Sequence, residues 1–136
     1  MEGRCLCGAV TIRIGAHDAE VGACHCTMCR RWSGSAYFAF DADPAGVTVE
    51  GPVRAYRSSS FAERAFCATC GSHLWLRDDG GPYELMPGLF DGAAGFPLAS
   101  IVYADRAPAW MPLAAGDARC RTAAEYEADQ PHVAEA

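Results

Sequence analysis

Seven of the eight cysteines stand in three tight clusters: Cys5-Leu6-Cys7, Cys24-His25-Cys26-Thr27-Met28-Cys29 and Cys67-Ala68-Thr69-Cys70. Thiolates this close in sequence share one turn of backbone and can grip a single ion together. Four thiolates close a tetrahedral zinc site, whereas three leave one position open. Seven divides as four plus three. The first and last clusters each end in glycine, Cys7-Gly8 and Cys70-Gly71, which lets the backbone turn its amides toward sulfur. They read as two zinc knuckles that join in a closed, structural four-thiolate site. The middle cluster is then the place for chemistry. Zinc on three thiolates is a weak Lewis acid for water and suits a soft fourth ligand, such as a substrate thiol. Zinc lowers the pKa of such a thiol, so the expected reaction forms or cleaves a carbon–sulfur bond.

Other residues gather around this reading. Arg30 and Arg31 follow the third thiol of the middle cluster. Either is a candidate to pair with a carboxylate of an anionic thiol, against the plainer role of a surface arginine packing its stem on the sheet. His25 lies between two ligands, but neighbours in an extended loop point apart, so it is expected not to bind the metal. His73, past the last knuckle, reads as a strand histidine. Ser33-Gly34-Ser35 reads as a turn. Trp32, Tyr37, Phe38, Phe40, Trp75, Phe90 and Trp110 are expected mostly in the core. Cys120 has no other cysteine near it and is assigned to neither metal.

Short strands must position these groups. Val10, Ile12 and Ile14 share one face of a strand, with Thr11 and Arg13 on the other. Further strand candidates are 36–40, 47–49, 53–57, 63–66, 73–77, 83–86 and 100–103, with Asp78-Asp79-Gly80-Gly81-Pro82 as a hairpin turn. Fourteen glycines and eight prolines punctuate them, which fits a mainly β domain. Helix is scarce. Thr27 to Trp32 is expected to make one turn, and Thr122-Ala123-Ala124-Glu125 has the form of a capping box that opens a short helix to about Ala128.

At 136 residues, half of them hydrophobic, the chain reads as a single domain over 1–128 with a flexible tail over 129–136. The net charge of -6 gives no electrostatic footprint for nucleic acid. All eleven basic residues are arginine, which excludes a Schiff-base lysine mechanism. No apolar run approaches the roughly 18 residues that span a bilayer. The N-terminal residues run straight into the first motif, so no signal peptide is expected, and a reducing cytoplasm is the expected compartment. There thiols hold metal rather than form disulfides.

Three stretches together carry a resemblance. Gly3-Arg4-Cys5-Leu6-Cys7-Gly8-Ala9-Val10, Cys24-His25-Cys26-Thr27-Met28-Cys29-Arg30-Arg31 and Arg64-Ala65-Phe66-Cys67-Ala68-Thr69-Cys70-Gly71-Ser72 resemble the glutathione-dependent formaldehyde-activating enzyme family, also called the centromere-protein-V/GFA domain. Tyr56-Arg57-Ser58-Ser59 is similar too, and the resemblance runs over residues 3–113. It implies a mainly β, β-tent zinc fold of several short antiparallel sheets with little helix. It implies a structural zinc on Cys5, Cys7, Cys67 and Cys70, and a second, catalytic zinc on Cys24, Cys26 and Cys29. The implied activity is that of a zinc-dependent carbon–sulfur lyase or synthase acting on an adduct such as S-hydroxymethylglutathione. The alternative is a non-catalytic β-tent module for partner binding, or for redox or zinc sensing through the middle cluster.

Overall fold

A computed structural model describes residues 1–135. In chain order its elements are β1 (Glu2–Arg4), β2 (Thr11–Arg13), β3 (Val21–Cys24), α1 (Thr27–Ser33), β4 (Tyr37–Ala42), β5 (Thr48–Glu50), β6 (Val53–Arg57), β7 (Ala62–Cys67), β8 (His73–Asp78), β9 (Tyr83–Leu85), β10 (Leu98–Val102), β11 (Arg119–Arg121) and α2 (Ala123–Asp129), with short 3-10 turns between. The fold is mainly β, as expected. The tail expected over 129–136 is described as far as a 3-10 turn, Pro131–Glu135, and Ala136 lies outside the described residues.

The chain divides into two compact units, Met1–Ala19 with Ala39–Phe96, and Glu20–Phe38 with Pro97–Ala136. In the first unit, β1, β2 and β5 form an antiparallel sheet. A second antiparallel ladder runs β4-β9-β8-β7-β6. Alternation explains the inward faces: Val10, Ile12 and Ile14 are buried, while Arg13 is exposed and pairs with Glu2 and Glu50. The register of β7 on β8 shifts between Ala65 and Phe66, where Leu74 is the extra residue on β8. Ala62, Arg64, Ala65 and Cys67 of β7 are buried, as is Leu74 of β8. Phe40 anchors this core, with Phe90 edge-on at 5.3 Å and Phe96 at 5.6 Å between ring centroids.

The second unit departs from the all-antiparallel expectation. Strand β10 pairs parallel with both β3 and β11. Neither β3 nor β11 was among the expected strands, because Val21-Gly22-Ala23-Cys24 and Arg119-Cys120-Arg121 are too short to show alternation. Strand β10 also ends one residue earlier than expected: Tyr103 leaves it with a left-handed φ of 54°. Helix α1 closes on Gly34 in the left-handed conformation, whose amide bonds to Arg30 O at 2.8 Å. Helix α2 opens with the expected capping box, Thr122 with Glu125.

Candidate functional site

The first unit brings Cys5, Cys7, Cys67 and Cys70 together, with all four sulfurs within 4.8 Å of one another. The two knuckles are built alike. Gly8 and Gly71 both turn with positive φ, 78° and 76°, and their amides bond back to Cys5 O and Cys67 O at 3.0 and 2.9 Å. The Val10 amide donates to Cys5 Sγ at 3.2 Å, and the Ser72 hydroxyl lies 3.2 Å from Cys70 Sγ. Leu6 N–H donates to Ser72 Oγ at 3.1 Å, tying one knuckle to the other.

Geometry and charge both suit a metal. Sulfurs bound tetrahedrally at about 2.3 Å from an ion stand about 3.8 Å apart. Cys5 and Cys7 lie 3.6 Å apart, and Cys7 and Cys67 lie 3.9 Å apart. Without a cation the four thiols compete for protons. The Ser72 hydroxyl and amide hold Cys70 down to about 5. At Cys7 the Ala9 amide pulls downward, but burial and the three neighbouring thiols outweigh it and push the group up to about 11. Burial raises Cys5, yet the Val10 amide and the thiols of Cys7 and Cys67 leave it lowered. A bound cation removes this conflict, because all four can then ionise.

The second unit gathers Cys24, Cys26 and Cys29, again with sulfurs within 4.8 Å of one another. Cys24 ends β3, Cys26 caps α1 and Cys29 lies in its first turn. The Cys29 amide donates to Cys26 Sγ and the Cys26 amide to Cys24 Sγ, both at 3.4 Å. Amides aimed at sulfur favour the thiolate that a metal needs. Hydrogen bonding to Cys26 and Cys29, then burial, pushes the Cys24 thiol strongly upward, which again calls for a cation. The two cysteine clusters therefore fit metal ions, one with four donors and one with three.

The neighbours fall as follows. His25 is buried and is not among the gathered donors; burial, then Arg30, holds its pKa down. Arg30 donates its Nε to His25 O at 3.0 Å, bracing the thiol loop, while Arg31 is exposed. Ser33 Oγ donates to Cys29 O at 2.8 Å, so the expected turn also holds the end of α1. His73 is partly buried in β8. Trp110 is 71% exposed, against the expectation of a core residue, because it lies on a loop rather than an element. Cys120 lies on β11, exposed and in neither cluster. No disulfide joins any of the eight cysteines. Among the described residues no helix is long and apolar enough to cross a membrane.

The model of the glutathione-dependent formaldehyde-activating enzyme family matches residues 1–105, and the chain belongs to this family. It is 36% identical over 110 residues to an uncharacterized lyase of Schizosaccharomyces pombe, covering 79% of this chain and 80% of that protein. It is 33% identical over 97 residues to a Halomonas elongata protein provisionally named a glutathione-dependent formaldehyde-activating enzyme, covering 64% of this chain and 62% of that one. The crystal structure of a Rhodobacter sphaeroides protein aligns with a TM-score of 0.59 at 25% identity, over 73% of this chain and 100% of the other.

The sequence reading missed two residues on segments that leave the same edge of the parallel sheet as the three-thiol loop. Tyr103 was expected to continue a strand, and Glu127 belonged to a helix with no assigned role. The Tyr103 hydroxyl donates to Glu127 Oε1 at 3.1 Å. No local pattern could have paired positions so far apart. The capping box alone hinted that a formed helix would present Glu127.

Proposed function

We propose that Cys24, Cys26 and Cys29 hold a zinc ion that binds a glutathione-like thiol, and that the protein is a carbon–sulfur lyase or synthase acting on the hydroxymethyl adduct of that thiol. The observation that carries the reading is the donor count: three gathered thiols in one cluster beside a complete set of four in the other. Zinc so held would supply a soft centre with one position left for sulfur and would lower the pKa of an incoming thiol. Family membership and the name of the S. pombe relative support lyase chemistry. Cys5, Cys7, Cys67 and Cys70 are assigned the structural zinc.

The chain's own groups then have distinct tasks. The amides of Cys26 and Cys29 donate to the sulfurs of Cys24 and Cys26 and would favour their thiolate form once a cation is bound. Arg30 braces the loop through His25 O, and its guanidinium, with that of Arg31, meets a carboxylate of the thiol. Seven thiols reserved for metal call for a reducing compartment such as the cytoplasm.

Zinc per chain by plasma mass spectrometry, on protein purified without chelators, is the first test. Two per chain is expected, falling to one in Cys26→Ser. The loaded protein should then speed interconversion of glutathione plus formaldehyde with the adduct, and Cys26→Ser should not. One zinc per chain that does not rise when zinc is offered back would overturn the reading in favour of a binding module.

A further inference from the structure

We propose that Tyr103 and Glu127 form a proton path between the three-thiol site and solvent. The inference rests on the carbon–sulfur reading above and assigns the group that handles the adduct's hydroxyl proton.

Strand topology brings these residues to the sheet edge from which the thiol loop leaves. In the parallel sheet, Cys24, Val102 and Arg121 are the last residues of β3, β10 and β11 and lie in register. Parallel strands release their following segments from one edge, the usual place of ligand sites in such sheets. From Cys24 the chain enters the thiol loop and α1, from Val102 it enters Tyr103, and from Arg121 it enters α2, which carries Glu127. The His25 amide donates to Val102 O at 3.1 Å, fastening the thiol loop to the residue before Tyr103.

Tyr103 is held there at a cost. It is buried, and its φ of 54° is one that a bulky residue rarely adopts. Surrounding contacts keep it in place. The Tyr126 ring packs edge-on at 5.6 Å, the Arg106 guanidinium lies 5.0 Å over the Tyr103 ring, and the Ala123 amide donates to Asp105 Oδ1 at 2.6 Å. The hydroxyl gives its proton to Glu127, so its oxygen lone pairs remain to accept another. Arg106 Nη2 stands 3.8 Å from the same carboxylate oxygen, and the Glu127 side chain is 29% exposed. A buried hydroxyl is thus joined to a carboxylate that water reaches. Burial first, then the hydrogen bond to Glu127, raises the Tyr103 pKa.

In the lysis direction the hydroxyl proton of the adduct passes to Tyr103 Oη while the phenolic proton passes to Glu127. The oxygen's freed pair forms the second carbon–oxygen bond, and the carbon–sulfur pair leaves with sulfur as thiolate. Glu127 then releases its proton to water. The products are formaldehyde, thiolate and one proton; synthesis is the reverse. Glu127 lies beyond residues 1–105, so the family match does not supply it.

The test uses the full-length, zinc-loaded protein with S-hydroxymethylglutathione. Tyr103→Phe keeps the ring and should lower kcat about 100-fold. KM, glutathione affinity by calorimetry and zinc per chain should stay unchanged. Glu127→Gln should lower kcat at least about ten-fold and flatten the acidic limb of the pH–rate profile. Glu127→Asp should restore part of both. Wild-type kcat and pH profile in Tyr103→Phe would overturn the path while leaving the lyase reading intact. So would a loss of rate that merely follows lost zinc. A wild type that binds glutathione yet never turns over would instead sink the lyase reading, and the path with it.

Discussion

Single atoms decide how far each side chain can be changed. Gly3 has no room for a methyl group: a Cβ there would stand 2.5 Å from Phe90 Cδ1 and 2.8 Å from Leu89 O. Gly3→Ala should therefore lower stability by about 1–3 kcal/mol, read as a shifted denaturant midpoint with unchanged slope. Arg30→Ala removes both a proposed carboxylate partner and the brace on His25 O, whereas Arg31→Ala touches only the exposed guanidinium. Arg31→Ala is expected to raise the glutathione Kd about five-fold with zinc per chain unchanged; wild-type affinity in Arg31→Ala would remove Arg31 from the site. The two cysteine clusters were legible in the sequence because their members stand at fixed local spacing. Tyr103 was not, since tertiary contacts impose its backbone angle and no neighbour in sequence announces them.

Elements matter through what they align. Cys5 and Cys67 are buried within the hydrophobic core, so the closed cluster is part of the core as well as a candidate metal site. Cys67→Ser should abolish the cooperative melt, since structural zinc contributes folding free energy of about 10 kcal/mol or more in small domains. A normal melt in that variant would show that the core suffices without the cluster. His73 on β8 offers a pH test. Burial, then Arg64, lowers its pKa below 6.5, so the unfolded chain takes up the proton first as pH falls. Its contribution to stability is complete above about 6.5 and is lost below it. An imidazole titration midpoint below 6.5 by NMR is expected. Antiparallel strands and the α2 cap could be read from alternation and capping chemistry. The parallel trio could not, because β3 and β11 show their strand character only when β10 lies between them.

Across the whole molecule the two units are interleaved in sequence. Each is assembled from two separate stretches, so neither is complete until the chain has returned to it. We propose that they melt together as one domain. A single calorimetric transition whose van't Hoff and calorimetric enthalpies agree is expected, and two resolved transitions would contradict it. The single-domain expectation rested on length, which is blind to such interleaving. The family match covers residues 1–105, while the helix carrying Glu127 lies outside it. The cluster that joins Cys5 and Cys7 to Cys67 and Cys70 also fixes a timetable. During synthesis at about 5–20 residues per second, the first pair waits roughly 3–13 seconds for the second to be made. Through that interval two thiols stand bare to oxidants and stray metals. Zinc supplied while ribosomes are working should therefore raise the yield of sound protein more than the same zinc added after harvest.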